Sequence, residues 1–114
     1  MSPQDKTDFV TRFEALSSEI HELAVDNGFW ESENQGEKIA LMHSELSEAL
    51  EVIRKDATAM DEHCPDHYAL EVELADCVIR IMDFAAKFQL DLGSAIVEKH
   101  TYNAERPYKH GKKF

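Results

Sequence analysis

The sequence predicts an all-α fold, a bundle of four helices. Three observations carry this. Apolar residues recur at three- and four-residue spacing over long stretches, as on one face of a helix. No stretch of any length alternates apolar and polar residues in the manner of a strand. Only 4 Gly and 3 Pro occur in 114 residues, so few positions interrupt a helix. A chain of this length is expected to be one domain, residues 1–114. It is small enough that self-association would help it bury a core.

The first helix is expected from about Asp5 to Asp26, where Phe9, Phe13, Leu16, Ile20 and Leu23 form an amphipathic stripe. Asn27-Gly28 ends it, and Phe29 and Trp30 open a polar loop through Gly36. The second helix spans roughly Glu37 to Met60, followed by a loop around Glu62–Asp66 that contains Pro65. The third runs from about His67 to Phe88, and the fourth from roughly Leu92 to Ala104 after a short break at Asp91 to Gly93. Pro107 stops the fourth helix, and a basic tail, Tyr108–Phe114, follows. On the third helix Glu73, Asp76, Arg80, Asp83 and Lys87 share one stripe of roughly 80° at about 100° per residue. Nearly all its other positions are apolar, so it should be covered on most sides, as the central helix of a homo-oligomer.

The formal net charge is −11, distributed unevenly. Acids outnumber Lys and Arg 19 to 5 over residues 1–76 and are outnumbered 4 to 7 over residues 77–114. An acidic body argues against docking on long nucleic acid. The basic end fits either a grip on a small polyphosphate or a solvated tail. No apolar run reaches membrane-spanning length, and Met1-Ser2-Pro3-Gln4-Asp5 has no signal-peptide pattern. Cys64 and Cys77 form no Cys-x-x-Cys and suggest reduced thiols in a cytoplasmic setting.

The strongest chemical signal is a pair of similar acidic motifs, Glu45-Leu46-Ser47-Glu48 and Glu73-Leu74-Ala75-Asp76. Residues three apart share a helix face. If the two helices lie side by side, four carboxylates converge, and such a group repels itself unless a cation joins it. Glu45 has Leu41 and Val52 on one side and Met42 and Ala49 on the other, a costly place for an unpaired charge. Glu48 lies at the edge of that apolar arc, and Glu51 falls further round and reads as solvated. Oxygen-only ligation suits Mg²⁺, with Mn²⁺ as a substitute. A di-iron bundle would want Glu-x-x-His, and no His has Glu three positions before it. Acid pairs at this spacing are common on solvated helices, but two of them abutting apolar faces favour a metal site and metal-assisted chemistry on a phosphate.

Other motifs read more plainly. His63 and His67 flank Pro65 without a second ligand pair, so they are loop residues and not a zinc site. Cys77 sits among apolar residues and reads as core. Arg80 is expected to orient Asp76 or Asp83, and no phosphate-binding Gly-rich loop is present.

The stretch Lys38-Ile-Ala-Leu-Met-His-Ser-Glu-Leu-Ser-Glu-Ala-Leu-Glu51, then Glu73-Leu-Ala-Asp76 followed by Cys-Val-Ile-Arg-Ile-Met-Asp83, and finally Lys99-His-Thr-Tyr-Asn-Ala-Glu-Arg-Pro107 resembles the MazG-like all-α nucleotide pyrophosphohydrolases over about residues 20–110. The resemblance implies a four-to-five-helix bundle assembled as a homodimer or dimer-of-dimers tetramer. It implies Mg²⁺-dependent hydrolysis of a nucleoside triphosphate, the deoxy form favoured, to monophosphate and pyrophosphate, a house-cleaning reaction on the nucleotide pool. Glu45, Glu48, Glu73 and Asp76 would be the metal ligands. Glu48, or another of these acids such as Glu45, would then accept the attacking water's proton. Lys99 and Asn103 match residues near the phosphates and sugar, Arg106 lies on the same face, and Lys38 would add charge near the phosphates. His21 and Trp30 have the spacing of a His and a Trp near the base in similar dCTP pyrophosphatases; the plainer readings are an exposed helix His and a Trp closing a loop. Met42 stands where many members carry a further acid, and Arg80 where dCTP-specific relatives carry Tyr. A non-catalytic helical oligomer that binds nucleotide or a protein is the alternative.

Overall fold

The computed structural model describes residues 1–107, so the basic tail at Tyr108–Phe114 lies outside the described residues. Four helices form in chain order: α1 (Pro3–Asp26), α2 (Gln35–Asp56), α3 (Ala69–Lys87) and α4 (Leu92–Ala104). Helix ends follow from side chains that satisfy the free backbone groups of the first turn. Ser2 and Asp5 cap α1 reciprocally, with Pro3 opening the helix. Asn34 Oδ1 accepts from Glu37 N at 3.0 Å to start α2. The Glu71 carboxylate accepts from Tyr68 N at 2.9 Å to start α3.

The second helix stops at Asp56 and not at Met60. Asp56 Oδ1 accepts from Thr58 N at 2.9 Å and from Thr58 Oγ1 at 2.6 Å, a local turn that competes with the helix. Met60 instead pairs with Tyr68 in an isolated bridge, which closes the loop and moves the start of α3 to Ala69. After α3 the chain reverses through Gln89, at φ 54, and Leu90 N donates back to Ala85 O at 2.9 Å.

Helix α3 packs against both α1 and α2, and α4 packs on α1. Glu48 faces Glu73, Glu45 faces Arg80, and the Met42 carbonyl accepts from Cys77 Sγ at 3.6 Å, so α2 and α3 run antiparallel. The start of α4 is pinned to α1, where Glu14 Oε1 accepts from Gly93 N at 2.9 Å. A Cβ at residue 93 would fall 2.8 Å from that oxygen and 3.2 Å from the Phe13 ring, so a larger residue here would have to displace the Glu14 carboxylate that pins α4.

The interior is thin. Trp30, Ala49, Cys77, Met82 and Ala85 are the buried hydrophobic residues, joined by the buried polar side chains Ser17, Lys38, Glu45 and Asp83. Cys77 is core, as its neighbours in sequence suggest. By contrast, Leu46, Leu50 and Ile53 on α2 and Leu74, Val78 and Ile81 on α3 are exposed. Their three- and four-residue spacing places each set on one stripe. The stripes lie together on one side of the α2–α3 pair, rotated away from the acids. The coverage expected of α3 is therefore only partly supplied by its own chain. Among the described residues no helix is long and apolar enough to cross a membrane.

Candidate metal centre and cleft

Glu45 from α2 and Glu73 and Asp76 from α3 bring one carboxylate oxygen each within 4.8 Å of one another. Both acidic motifs contribute because α2 and α3 are adjacent and antiparallel. Glu45 is 8% exposed, and its charge is offset by Arg80, whose Nε donates to Glu45 Oε1 at 2.7 Å. That pairing corrects the expected role of Arg80: its hydrogen bond goes across to α2 and not to Asp76 or Asp83 on its own helix. A guanidinium one turn from Asp76 reaches the neighbouring helix, where a buried carboxylate has more to gain from it.

Glu73 Oε2 is buried and has no hydrogen-bond partner among the described residues. Burial first, then the adjoining Glu48 carboxyl, then the charges of Asp76 and Glu45, push the Glu73 carboxyl up from 4.5 to about 7. Asp76 is also raised, chiefly by burial and then by Glu45, with Arg80 pulling the other way. Asp61, in the loop before α3, adds a further push on Asp76. It is a fifth acid that helix spacing could not find, because a loop residue has no place in a helical pattern. Glu48 is exposed and lies outside the close group of three, but within hydrogen-bond reach of Glu73.

An orphaned buried oxygen, with the Glu73 and Asp76 carboxyls pushed up by burial and by neighbouring acids, is what a set of oxygen ligands shows before a cation joins it. The donors are all carboxylate, hard ligands that suit Mg²⁺ or Mn²⁺ better than a soft metal. The residues present therefore fit a divalent cation.

Glu45 and Asp76 also line a cleft of about 540 Å³. The lining also includes the polar side chains of Arg80, Asp83 and Asn27 and the apolar residues Ile20, Leu23, Ala24, Phe29 and Ile79. Asp83, only 3% exposed, accepts from Trp30 Nε1 at 3.0 Å with both oxygens and meets His21 Nδ1 at 2.8 Å. The spacing from His21 to Trp30 thus converges on a third residue, Asp83. His21 is not the freely exposed helix His of the plainer reading, since Asp83 holds its ring.

Trp30 is buried, with the rings of Phe29, Phe88 and His21 meeting it edge-on at 5.7 to 5.8 Å. Lys38 is 4% exposed. It donates to the Phe29 carbonyl and lies over the Phe29 ring at 3.9 Å and the Trp30 ring at 4.8 Å. The ammonium expected beside the phosphates is engaged here in holding the loop. A second clamp joins Glu33 to Lys87 at 2.6 Å.

Lys99 and Asn103 line a separate hollow of about 450 Å³ along α4, together with Leu92, Ala95, Ile96 and His100. Asn103 Oδ1 there is buried without a partner among the described residues. Arg106 and Lys99 both lie over Tyr102. One chain thus brings the acids together at the cleft but leaves the α4 group on a different surface. Comparison of the chain with known protein families, with curated proteins and with solved structures finds no match in any of the three.

Proposed function

We propose that the protein is a Mg²⁺-dependent nucleoside triphosphate pyrophosphohydrolase of the MazG-like kind, releasing a monophosphate and pyrophosphate. The observation that carries this is the group Glu45, Glu73 and Asp76, with an unpartnered Glu73 oxygen, two of whose members line a cleft that also has apolar walls. The acids suit the metal that accompanies a triphosphate, and the apolar lining suits a flat ring. Glu45, Glu73 and Asp76 would hold the cation. When bound, it supplies Lewis-acid polarisation of the phosphate and acidifies a water.

The remaining chemistry belongs to the chain. Glu48, exposed and beside Glu73, takes the proton from the water that attacks the α-phosphorus, and the bond to pyrophosphate breaks. Arg80 holds Glu45 in place through its hydrogen bond to Oε1. Lys99, Asn103 and Arg106 reach the phosphates only where the α4 of another chain closes the cleft, so the site is read as completed in a homodimer or a dimer of dimers. The uncovered apolar face of α2 and α3 supports self-association, since a contiguous exposed apolar patch marks an interaction surface.

Product analysis tests the proposal. The protein is incubated with Mg²⁺ and each common nucleoside and deoxynucleoside triphosphate. Monophosphate plus pyrophosphate is expected, with the deoxy form preferred, and Glu48→Gln and Asp76→Asn are expected to lose turnover while remaining folded. Diphosphate plus phosphate would overturn the α-phosphate assignment. The same exposed face favours one other reading, a helical oligomer that binds nucleotide without turnover. Thermal stabilisation by triphosphate with no product would select it.

A further inference from the structure

We infer that Phe29, and not Trp30, is the surface on which the cleft receives the flat ring of its ligand. The inference deepens the nucleotide reading and rests on it for the identity of the ring. Trp30 has no face to give. It is 8% exposed, its only donor is spent on Asp83, the rings of Phe29, Phe88 and His21 pack about it, and it is not among the residues that line the cleft.

Phe29, one residue earlier, lines the cleft. Gly28 at φ 82 turns the chain out of α1 just before the two rings, and Phe29 then stands half-buried at the cleft wall while Trp30 is buried. Phe29 is also held unusually firmly for a loop residue. Lys38 binds its carbonyl and lies over its ring, and the Trp30 ring meets it at 85°. The Arg80 guanidinium lies 5.2 Å from its centroid. Because Arg80 also grips Glu45, the ring wall and the acids share one residue, which ties the position of a bound ring to the cluster. Ile20, Leu23, Ala24 and Ile79 supply the rest of the apolar lining. A rigid aromatic surface beside aliphatic walls accepts any flat base by stacking, a contact that tolerates sequence variation because every base has a π-face.

The test uses uncharged nucleosides (adenosine, cytidine, guanosine and uridine), with ribose as the ring-free control, so that neither metal nor turnover is required. Aromatic NMR resonances of the native chain are followed during titration, Phe29 being assigned by its loss in Phe29→Leu. The expected result is an upfield shift of the Phe29 ring signals with nucleosides and none with ribose. Apparent affinity should weaken on the order of tenfold in Phe29→Leu and recover in Phe29→Tyr. The inference is overturned if no nucleoside moves the Phe29 signals, if Trp30 signals move in their place, or if Phe29→Leu binds as the native chain does. Nucleosides that shift Phe29 in a protein that hydrolyses no triphosphate would overturn the hydrolase reading and leave this one standing. Triphosphate turnover with unshifted Phe29 signals would do the reverse.

Discussion

Replacing Glu73 by Gln should stabilise the metal-free protein while destroying its response to metal. Among Glu45, Glu48 and Asp76, the Glu73 carboxyl rises from 4.5 to about 7. Its folded-state value exceeds its unfolded one, so the native chain holds this proton more tightly. That stabilisation is full below about pH 4.5 and is lost as the pH rises through about 7. Moving a carboxyl from 4.5 to about 7 corresponds to about 3 kcal/mol at about 1.4 kcal/mol per pH unit. Glu73 is only half-buried, and solvent at the cleft screens its neighbours, so about 1 kcal/mol is a fairer figure. Gln imitates the protonated acid, so Glu73→Gln should melt about 5 °C above the native chain at pH 8 in EDTA, and within a degree or so of it at pH 4. Excess Mg²⁺ should reverse the order, because a ligand at 100 times its Kd adds about 2.7 kcal/mol to the native chain alone. Calorimetric melts at the two pH values, with and without Mg²⁺, read all of this. A Glu73→Gln chain that melts below the native one at pH 8 in EDTA would refute the view that repulsion dominates the cluster.

Further consequences can be checked with the same material. Below about pH 7 the apparent Mg²⁺ affinity should fall close to tenfold per pH unit in calorimetric titration, because Glu73 must lose its proton to bind; a flat profile would remove Glu73 from the ligand set. Arg80→Ala should cost about 2 kcal/mol in denaturant melts, since it leaves the buried Glu45 carboxylate without its partner. Glu45→Gln in the Arg80→Ala background should recover part of that loss. Leu50→Asp with Val78→Asp should shift the protein to monomer in sedimentation experiments, because both side chains stand on the exposed apolar face. An unchanged sedimentation coefficient would place the contact between chains elsewhere.

The helices were legible because apolar periodicity is a local property, and so was the pairing of Glu45 with Glu73 and Asp76, which needs only helix spacing and adjacency of α2 and α3. Helix ends were less so. The Asp56–Thr58 turn ends α2 early through two side-chain hydrogen bonds that periodicity does not register, although an Asp two residues before a Thr was a signal that could have been weighed. Glu48 lies 60° round α2 from Glu45 at ideal spacing, enough to leave it at the solvent edge. The partner of Arg80 depends on interhelical register, and no single-helix pattern contains that. Lys38 and Trp30 were legible as a cation and an aromatic, but not as buried residues, because their environment is made by a loop folding back on α2 and α3. Asp83 was read as one member of a polar stripe; its role as the shared acceptor for His21 and Trp30 emerges only when α1, the loop and α3 meet.

Mn²⁺ titration followed by electron paramagnetic resonance addresses the acid cluster most directly. The native chain should bind the ion with Mg²⁺ competing for the same site, and Asp76→Asn should lose that binding while keeping its helical circular dichroism. Binding of equal strength in native and Asp76→Asn chains, or no binding by the native chain, would contradict a metal centre at Glu45, Glu73 and Asp76.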